Sequence, residues 1–171
     1  MPPRQAEHVP GGNVLIALDP EDCADLLASA PLGRLAVVVD GRPEVFPVNH
    51  VYDRASGCVA FASQPGTKLD AALRGSWVAF EADGVSADGS RGWSVLVVGR
   101  AEVIDAPETI ARMDQGRDRL WRTVGNARWV RVVPSKMTGR RICAADRAAT
   151  PGTDERNGSR HAGPQSPTEL P

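Results

Sequence analysis

From residue 14 to residue 143 the sequence is a succession of short apolar segments, each cut off by glycine, proline, aspartate or serine. Short segments rich in valine, alanine and aromatic residues, bounded by turn residues, are typical of β-strands. The chain has 171 residues, the length of one domain. We therefore predict a mainly β domain with strands over residues 34–39, 44–52, 58–62, 77–81, 93–104, 129–133 and 138–143.

So many short strands, mostly antiparallel, would leave long exposed edges unless the sheet nearly closes on itself. Asp40-Gly41, between the first two predicted strands, is a two-residue hairpin signature. The longest strand is apolar on both faces from Val95 to Val98, which predicts burial on both sides. Glycine-rich nucleotide motifs, a nucleophile elbow and internal repeats are absent from the sequence. Rossmann enzymes, P-loop NTPases and α/β-hydrolases are therefore disfavoured.

Three helices are predicted between the strands. Asp19-Pro20-Glu21-Asp22 combines an N-cap, a proline at the first helical position and acids in the first turn, and the helix should end near residue 29. Thr67 is a suitable N-cap for a short helix over residues 68–74. A third helix opens at Ala106-Pro107-Glu108 and extends to residue 122.

The two ends of the chain read as tails around one domain. Residues 1–13 are predicted to be a flexible N-terminal tail. Residues 144–171 hold four prolines and no aromatic residue, so we predict a disordered C-terminal tail. The domain then spans residues 14–143. No apolar run is long enough to cross a membrane and no secretory signal is present, so we expect a cytoplasmic protein.

Charge and metal-binding residues exclude further classes of function. The chain has 20 basic and 21 acidic residues, a net charge of −1, which argues against a general nucleic-acid or membrane-surface binder. Cys23, Cys58 and Cys143 lie far apart, without the CxxC spacing of a zinc site. Outside the predicted tails the only histidine is His50. We therefore expect no disulfide framework and no metal.

The strongest candidate for a ligand site is the segment from Phe61 to Asp70, in which a strand ends, a glycine turn follows and a helix begins. Backbone N–H groups at a helix start bind phosphate. Thr67 adds a hydroxyl donor, and Lys68, one of only two lysines, adds a full charge. The alternative is a capped helix with a solvated lysine, which is the commoner use of this pattern.

A second candidate is Val45-Phe46-Pro47-Val48-Asn49-His50. A proline inside a strand removes a ladder donor, so this strand should lie at an edge or a bulge. Alternation puts Pro47 and Asn49 on one face and Phe46, Val48 and His50 on the other. A flat ring could bond to the free backbone groups and to Asn49. The alternative is an edge strand with Asn49 and His50 in solvent or satisfied locally.

A third candidate is Gly92-Trp93-Ser94, where Trp93 opens a buried strand and Ser94 points to the opposite face. Tryptophans at such positions are more often core residues than ligand contacts. Several arginines lie on or beside strands, and the sequence does not choose which of them pair with a phosphate or with an acid: Arg34, Arg100, Arg131, Arg140 and Arg141.

Taken in order, six short motifs resemble the pyridoxamine 5′-phosphate oxidase-like family of actinobacteria, in the branch related to nitroimidazole-reducing proteins. The likeness covers residues 19–142. It is carried by the ordered set rather than by any one motif: Leu32-Gly33-Arg34, Pro47-Val48-Asn49-His50, Pro65-Gly66-Thr67-Lys68-Leu69, Val78-Ala79-Phe80-Glu81, Gly92-Trp93-Ser94-Val95 and Thr138-Gly139-Arg140-Arg141.

The resemblance implies a six-stranded antiparallel split β-barrel of the FMN-binding type, with inserted helices. It also implies a homodimer with two cofactor sites at the subunit interface. The cofactor implied is FMN, with the deazaflavin F420 or haem as alternatives. By position, Pro47, Val48 and Asn49 would lie along the isoalloxazine ring, with Ser94 as a polar contact and Trp93 nearby. The residues implied to reach the ribityl phosphate are Phe61, Ala62, Thr67 and Lys68.

Two functions remain open. One is an FMN-dependent oxidoreductase that reduces a small electrophile of the nitroaromatic or quinone type, with His50 as the candidate proton donor. Authentic vitamin B6 oxidases carry substrate-binding arginine and histidine in a C-terminal strand. This chain reads Thr138-Gly139-Arg140-Arg141-Ile142 there, so we do not expect B6 oxidation. The other is a non-enzymatic binder, which would be a carrier of flavin, F420 or haem or a stress-related protein. An F420-dependent reductase is a third possibility.

Overall fold

The computed structural model describes residues 6–9, 12–115 and 126–144. Within these ranges it contains three helices: α1 (Pro20–Ser29), α2 (Thr67–Leu73) and α3 (Pro107–Gln115). It also contains nine strands: β1 (Ala6–Val9), β2 (Asn13–Leu18), β3 (Leu32–Val39), β4 (Arg42–Asn49), β5 (Val51–Asp53), β6 (Cys58–Ser63), β7 (Trp77–Val85), β8 (Arg91–Val103) and β9 (Arg128–Ala144).

All nine strands belong to one antiparallel sheet that curls into a half-barrel. Its main path runs β1-β2-β9-β8-β7-β3-β4, and β6 also pairs with β9 and carries β5 on its far side. The barrel proper is therefore six strands in the order β6-β9-β8-β7-β3-β4. Among the described residues no ladder joins β4 to β6, although the two strands approach each other. This gap is the split of the barrel, and the predicted six-stranded split barrel is confirmed.

The β3–β4 hairpin forms where the sequence predicts it. Asp40 and Gly41 both have positive φ, at 49° and 75°, as a two-residue turn of the primed type requires. Val39 and Arg42 face each other directly beside this turn. The strand predicted over residues 44–52, however, is divided into β4 and β5 at His50, whose backbone N–H donates to the carbonyl of Pro31.

Strand β9 is longer than predicted because it continues through Pro134. Gly99 faces Pro134, whereas the preceding Val98 faces Lys136, so Ser135 is an extra residue and forms a β-bulge. Bulges accept a proline within a sheet because the ladder is interrupted there. A Cβ on Gly99 would lie 2.0 Å from the Val133 carbonyl oxygen, so the bulge requires glycine opposite it. The two predicted strands, 129–133 and 138–143, are consequently one.

The inner face of the sheet holds the core, together with Leu27 of α1 and Leu69 of α2. Phe61 and Phe80 are the largest residues that are fully buried there. A smaller apolar cluster lies on the other side of β6, where Met113 of α3 covers it. We call the opposite face of strands β4, β3, β7, β8 and β9 the outer face.

The prediction that the middle of β8 is buried on both sides is wrong. Val95 and Val97 point into the core and are buried, but Leu96 on the outer face is 41% exposed. The outer face therefore carries apolar side chains that the other described residues leave exposed. Those exposed on it are Leu32, Val38, Val45, Trp77, Val85, Leu96 and Ile142.

Element boundaries differ from prediction at the ends of the chain. The structure places a strand, β1, within the predicted tail 1–13, where it pairs with β2 through the backbone. Four residues are too few for their alternation to signal a strand in the sequence. Strand β9 ends at Ala144. The rest of the predicted C-terminal tail and the end of the third predicted helix lie outside the described residues.

Candidate functional site

The split between β4 and β6 brings together two of the sequence candidates. Helix α2 begins four residues after β6 ends, and its second residue, Lys68, extends across to β4. The Lys68 ammonium group lies 4.7 Å from the centroid of the Phe46 ring. Phe46 is half-buried and packs against the core from the inner side of β4. A cation–π contact therefore spans the split at a point where no ladder joins its two sides.

Three cations of the described sheet, Arg34, Arg128 and Arg131, are paired with carboxylates, whereas Lys68 is not. Arg34 is held by Glu81 and Asp83 at 3.1 and 2.6 Å, and Arg131 by Glu102 at 2.8 Å. Within the described ranges no carboxylate lies within ion-pair distance of Lys68. Its positive charge is therefore available to an anionic ligand.

The start of α2 is built differently from the prediction. Thr67 is the first helical residue, not the N-cap, and the capping position is taken by Gly66 at φ 140°. A Cβ at residue 66 would have no close neighbour, so lack of space does not explain the glycine. Glycine is favoured there because the φ angle of 140° is one that other residues rarely adopt. Thr67 is half-buried beside Lys68.

Among the described residues strand β4 pairs only with β3, so its other edge is open, as Pro47 predicts. Arg42, the first residue after the Asp40-Gly41 turn, forms a hydrogen-bonded pair with Val39, and hydrogen-bonded pairs then recur at every second residue of β4. The even-numbered residues of β4 therefore bond to β3, and the odd-numbered residues turn their N–H and C=O groups to the open edge. Pro43 and Pro47 occupy two of these odd positions, where a missing N–H breaks no ladder bond. The edge thus offers carbonyl acceptors at each odd residue and N–H donors at Val45 and Asn49.

The side chains of the second candidate segment point in opposite directions. Pro47 and Asn49 lie on the outer face, Pro47 exposed and Asn49 half-buried, whereas Val48 is buried in the core. Val48 can therefore meet a ligand only through its backbone. The same holds for Phe61, which is fully buried, and Ala62 packs on the far side of β6 against the cluster under α3.

His50 is a structural residue in this fold. Helix α1 ends at Ser29, and the carbonyl of Leu27 lacks its usual helical partner because residue 31 is proline. The His50 Nε2 lies 2.9 Å from that carbonyl oxygen, which assigns the proton to Nε2. The ring is 8% exposed, stacks edge-on against Phe80, and its buried Nδ1 has no partner among the described residues. Burial lowers the pKa of His50.

Trp93 and Ser94 lie away from the split. They sit on β8, which is separated from β4 by β7 and β3. The Trp93 indole covers Gly84 on the inner side, where a Cβ would lie 2.6 Å from its Nε1. Ser94 faces Asp83 and Arg140 across its two ladders and shares the outer face with Leu96. One chain does not bring Ser94 to Lys68.

Phe46 is the residue that sequence reasoning missed at the site. Side chains alternate along β4, so Phe46 points to the core whereas Pro47 points to the outer face. This pattern predicts only an ordinary buried aromatic residue. The contact with Lys68 depends on how far the sheet curls. The only available signal was the rarity of lysine in a chain rich in arginine.

Two classes of site are absent from the described part of the chain. No group of three or more metal-ligating side chains comes together there. None of the helices within those ranges has both the length and the apolar character that crossing a membrane requires.

Known proteins resemble this chain over most of its length. The sequence profile of the family described as pyridoxamine 5′-phosphate oxidase matches residues 19–141. The uncharacterized protein Rv0080 of Mycobacterium tuberculosis is 33% identical over 138 residues, which are 78% of this chain and 89% of that protein.

Two solved structures have a similar fold. The FAD binding protein from Mycobacterium smegmatis matches with a TM-score of 0.62 and 34% identity, over 74% of this chain and 98% of its own. A putative pyridoxamine 5′-phosphate oxidase from Corynebacterium glutamicum matches with a TM-score of 0.62 and 28% identity, over 75% of this chain and 94% of its own.

Proposed function

Because this chain belongs to the pyridoxamine 5′-phosphate oxidase family, we propose that it binds a flavin at the split of its barrel and acts as an oxidoreductase on a small electrophile. The observation that carries the proposal is Lys68, a cation held at the split without a carboxylate partner among the described residues. The FAD binding relative from Mycobacterium smegmatis supports the ligand class.

The residues at the split fit the two chemically distinct parts of a flavin. A phosphate needs a cation and hydroxyl or N–H donors, which Lys68 and Thr67 supply. The isoalloxazine ring needs a flat surface with alternating donors and acceptors, which the open edge of β4 supplies. When bound, the flavin provides the hydride or electron chemistry, and the protein provides orientation and exclusion of water.

We propose FMN as the resident form. The single ammonium group of Lys68 matches one terminal phosphate, whereas FAD carries a second phosphate and an adenine ring that require further contacts. The FAD binding relative makes FAD the alternative to test first, with F420 and haem after it. No acid or base is assigned to His50, since its Nε2 already caps α1.

The binding test compares phosphorylated with unphosphorylated flavin. Purified protein should show a flavin spectrum, and cofactor-free protein should recover it on titration with FMN. Lys68→Met should weaken FMN binding by about 1.5–3 kcal/mol, roughly 10- to 150-fold, because a hydrogen bond to a charged group is lost. Riboflavin, which lacks the phosphate, should bind both proteins equally.

Lys136→Met is the matched control, because it removes the only other lysine from an exposed position on β9. Since Lys136 lies opposite Val98 on the outer face, light scattering first checks that this variant keeps the wild-type assembly. It should leave the dissociation constants for FMN and riboflavin unchanged. An equal FMN affinity in the Lys68→Met and Lys136→Met variants would remove Lys68 from the site. A chain that binds FAD but not FMN would change the cofactor and keep the site.

The oxidoreductase assignment needs a separate measurement. Holoprotein reduced with dithionite under anaerobic conditions should be reoxidised by a nitroaromatic or a quinone faster than an equal concentration of free reduced flavin. Reoxidation no faster than that of the free flavin, with both acceptors, would instead support a non-enzymatic flavin carrier.

A second copy of the chain is proposed to cover the outer face. Val45 is 61% exposed and Leu96 is 41% exposed on that face. Arg34 lies there beside Glu81 and Asp83, so the face carries both signs of charge, and an arginine of one copy can face a carboxylate of the other. Leu96→Glu should convert a dimer to a monomer in light scattering, whereas Leu73→Glu, an exposed change on α2, should not. Monomeric wild-type protein would refute this assembly.

A further inference from the structure

The Lys68 side chain is held by an aromatic ring instead of by an acid. Phe46 lies on β4 and Lys68 on α2, and these elements are adjacent only because the sheet curls until its ends approach. The Phe46 ring is half-buried and packs against the core. It therefore offers the ammonium group a ring face that the sheet supports.

This arrangement has a particular electrostatic consequence. A carboxylate would fix Lys68 but would also neutralise it, and a phosphate would then have to displace the carboxylate. The face of an aromatic ring attracts a cation through its quadrupole and leaves the full charge in place. A free lysine, by contrast, loses the freedom of its four-carbon chain whenever it binds a ligand.

We propose that Phe46 is a positioning residue that orders Lys68 at the split and thereby favours phosphorylated over unphosphorylated flavins. The inference rests on the proposed function for the identity of the ligand, a flavin. The contact between Phe46 and Lys68 does not depend on that function. Phe46 acts through Lys68, so its contribution should be present with FMN and absent with riboflavin.

The geometry can be tested without any flavin. Reductive methylation with ¹³C-formaldehyde keeps the charge of lysine and labels only Lys68, Lys136 and the N-terminal amine. The Lys68 methyl signal should be shifted upfield by the ring current of Phe46. In Phe46→Leu it should move to the position of an exposed lysine, with the Lys136 signal unchanged as an internal control. A Lys68 signal identical in the wild type and Phe46→Leu would overturn the placement.

The functional part is tested by FMN and riboflavin titrations. Phe46→Leu should weaken FMN binding about 3- to 10-fold and leave riboflavin binding unchanged, and Phe46→Tyr, which keeps the ring, should bind FMN like the wild type. In the Lys68→Met background, Phe46→Leu should have no further effect on FMN. Far-UV circular dichroism and unfolding curves check that both Phe46 variants fold.

The outcomes separate this inference from the proposed function. Equal weakening of FMN and riboflavin would mean that Phe46 contacts the ring system directly, which overturns the positioning role. Unchanged FMN binding in Phe46→Leu would overturn it as well. A wild-type chain that binds neither flavin refutes the proposed function, and inorganic phosphate then serves as the probe, which should shift the Lys68 signal and not the Lys136 signal.

Discussion

Replacement of His50 should distinguish a helix cap from a catalytic residue. His50→Leu removes the Nε2 donor and leaves the carbonyl of Leu27 without a partner in the core, because Pro31 has no N–H to offer. A buried acceptor left without a partner costs about 1–3 kcal/mol. His50→Gln keeps a neutral N–H donor and should cost less. Urea unfolding at pH 7.5 measures the loss of unfolding free energy in both variants.

The same residue makes a prediction about pH. Burial lowers the pKa of His50 below its ordinary value of 6.5. Below pH 6.5 the unfolded chain therefore binds a proton that the folded chain does not, and the wild type loses stability as the pH falls. Linkage limits the slope to about 1.4 kcal/mol per pH unit. His50→Leu and His50→Gln lack this contribution, so their disadvantage should shrink between pH 7.5 and pH 5.5.

The refuting results are specific. Parallel curves of unfolding free energy against pH for wild type and His50→Leu would mean that His50 is not a buried neutral residue. Loss of flavin reoxidation in a stable, flavin-loaded His50→Gln protein, with its spectrum unchanged, would restore the catalytic assignment. The ion pair of Asp53 with Arg112 is sensitive to acid only at lower pH, since the ordinary pKa of an aspartate is 3.8.

Further predictions concern the sheet and its contact with α3. Gly99→Ala should destabilise the protein by about 1–3 kcal/mol in thermal unfolding, because the new Cβ would clash with the Val133 carbonyl; an unchanged midpoint would refute the bulge geometry. Arg112→Met should cost about 1.5–3 kcal/mol, because Asp53 is buried and receives two hydrogen bonds from Arg112. Those bonds lower the pKa of Asp53, so the wild type should lose stability as the pH falls through that lowered value. Arg112→Met should lose less unfolding free energy than the wild type over the same acid range. Identical curves of unfolding free energy against pH for the two proteins would contradict this.

Local signals in the sequence predicted the features that depend on neighbouring residues. The Asp40-Gly41 turn set the register of β3 and β4, and Pro47 correctly indicated an edge strand, because each effect acts within a few residues of backbone. The continuity of β9 was not predictable from Pro134 alone. It depends on Gly99 of another strand, whose missing side chain leaves room for the bulge.

The role of His50 lay partly within reach of the sequence, and that of Phe46 did not. Pro31, two residues after α1 ends, cannot donate an N–H to the carbonyl of Leu27, so the sequence indicates that this carbonyl bonds to water or to another donor. The fold shows that the carbonyl is buried and that His50 is the donor. The Phe46–Lys68 contact instead depends on barrel curvature, which is the sum of many strand twists and has no local signature.

The position of Ser94 bears on how the proposed site could be completed. Lys68 and the open edge of β4 lie at the split, whereas Ser94 is on the outer face two strands beyond β3. A flavin bound at the split of one chain could meet a serine of the outer face only if a second chain presented that face to it. Dimerisation and complete flavin binding are thus coupled in the proposal. Leu96→Glu, placed beside Ser94 on the outer face, should weaken flavin binding as well as dissociate the dimer, and a monomeric variant that binds flavin with wild-type affinity would remove Ser94 from the site.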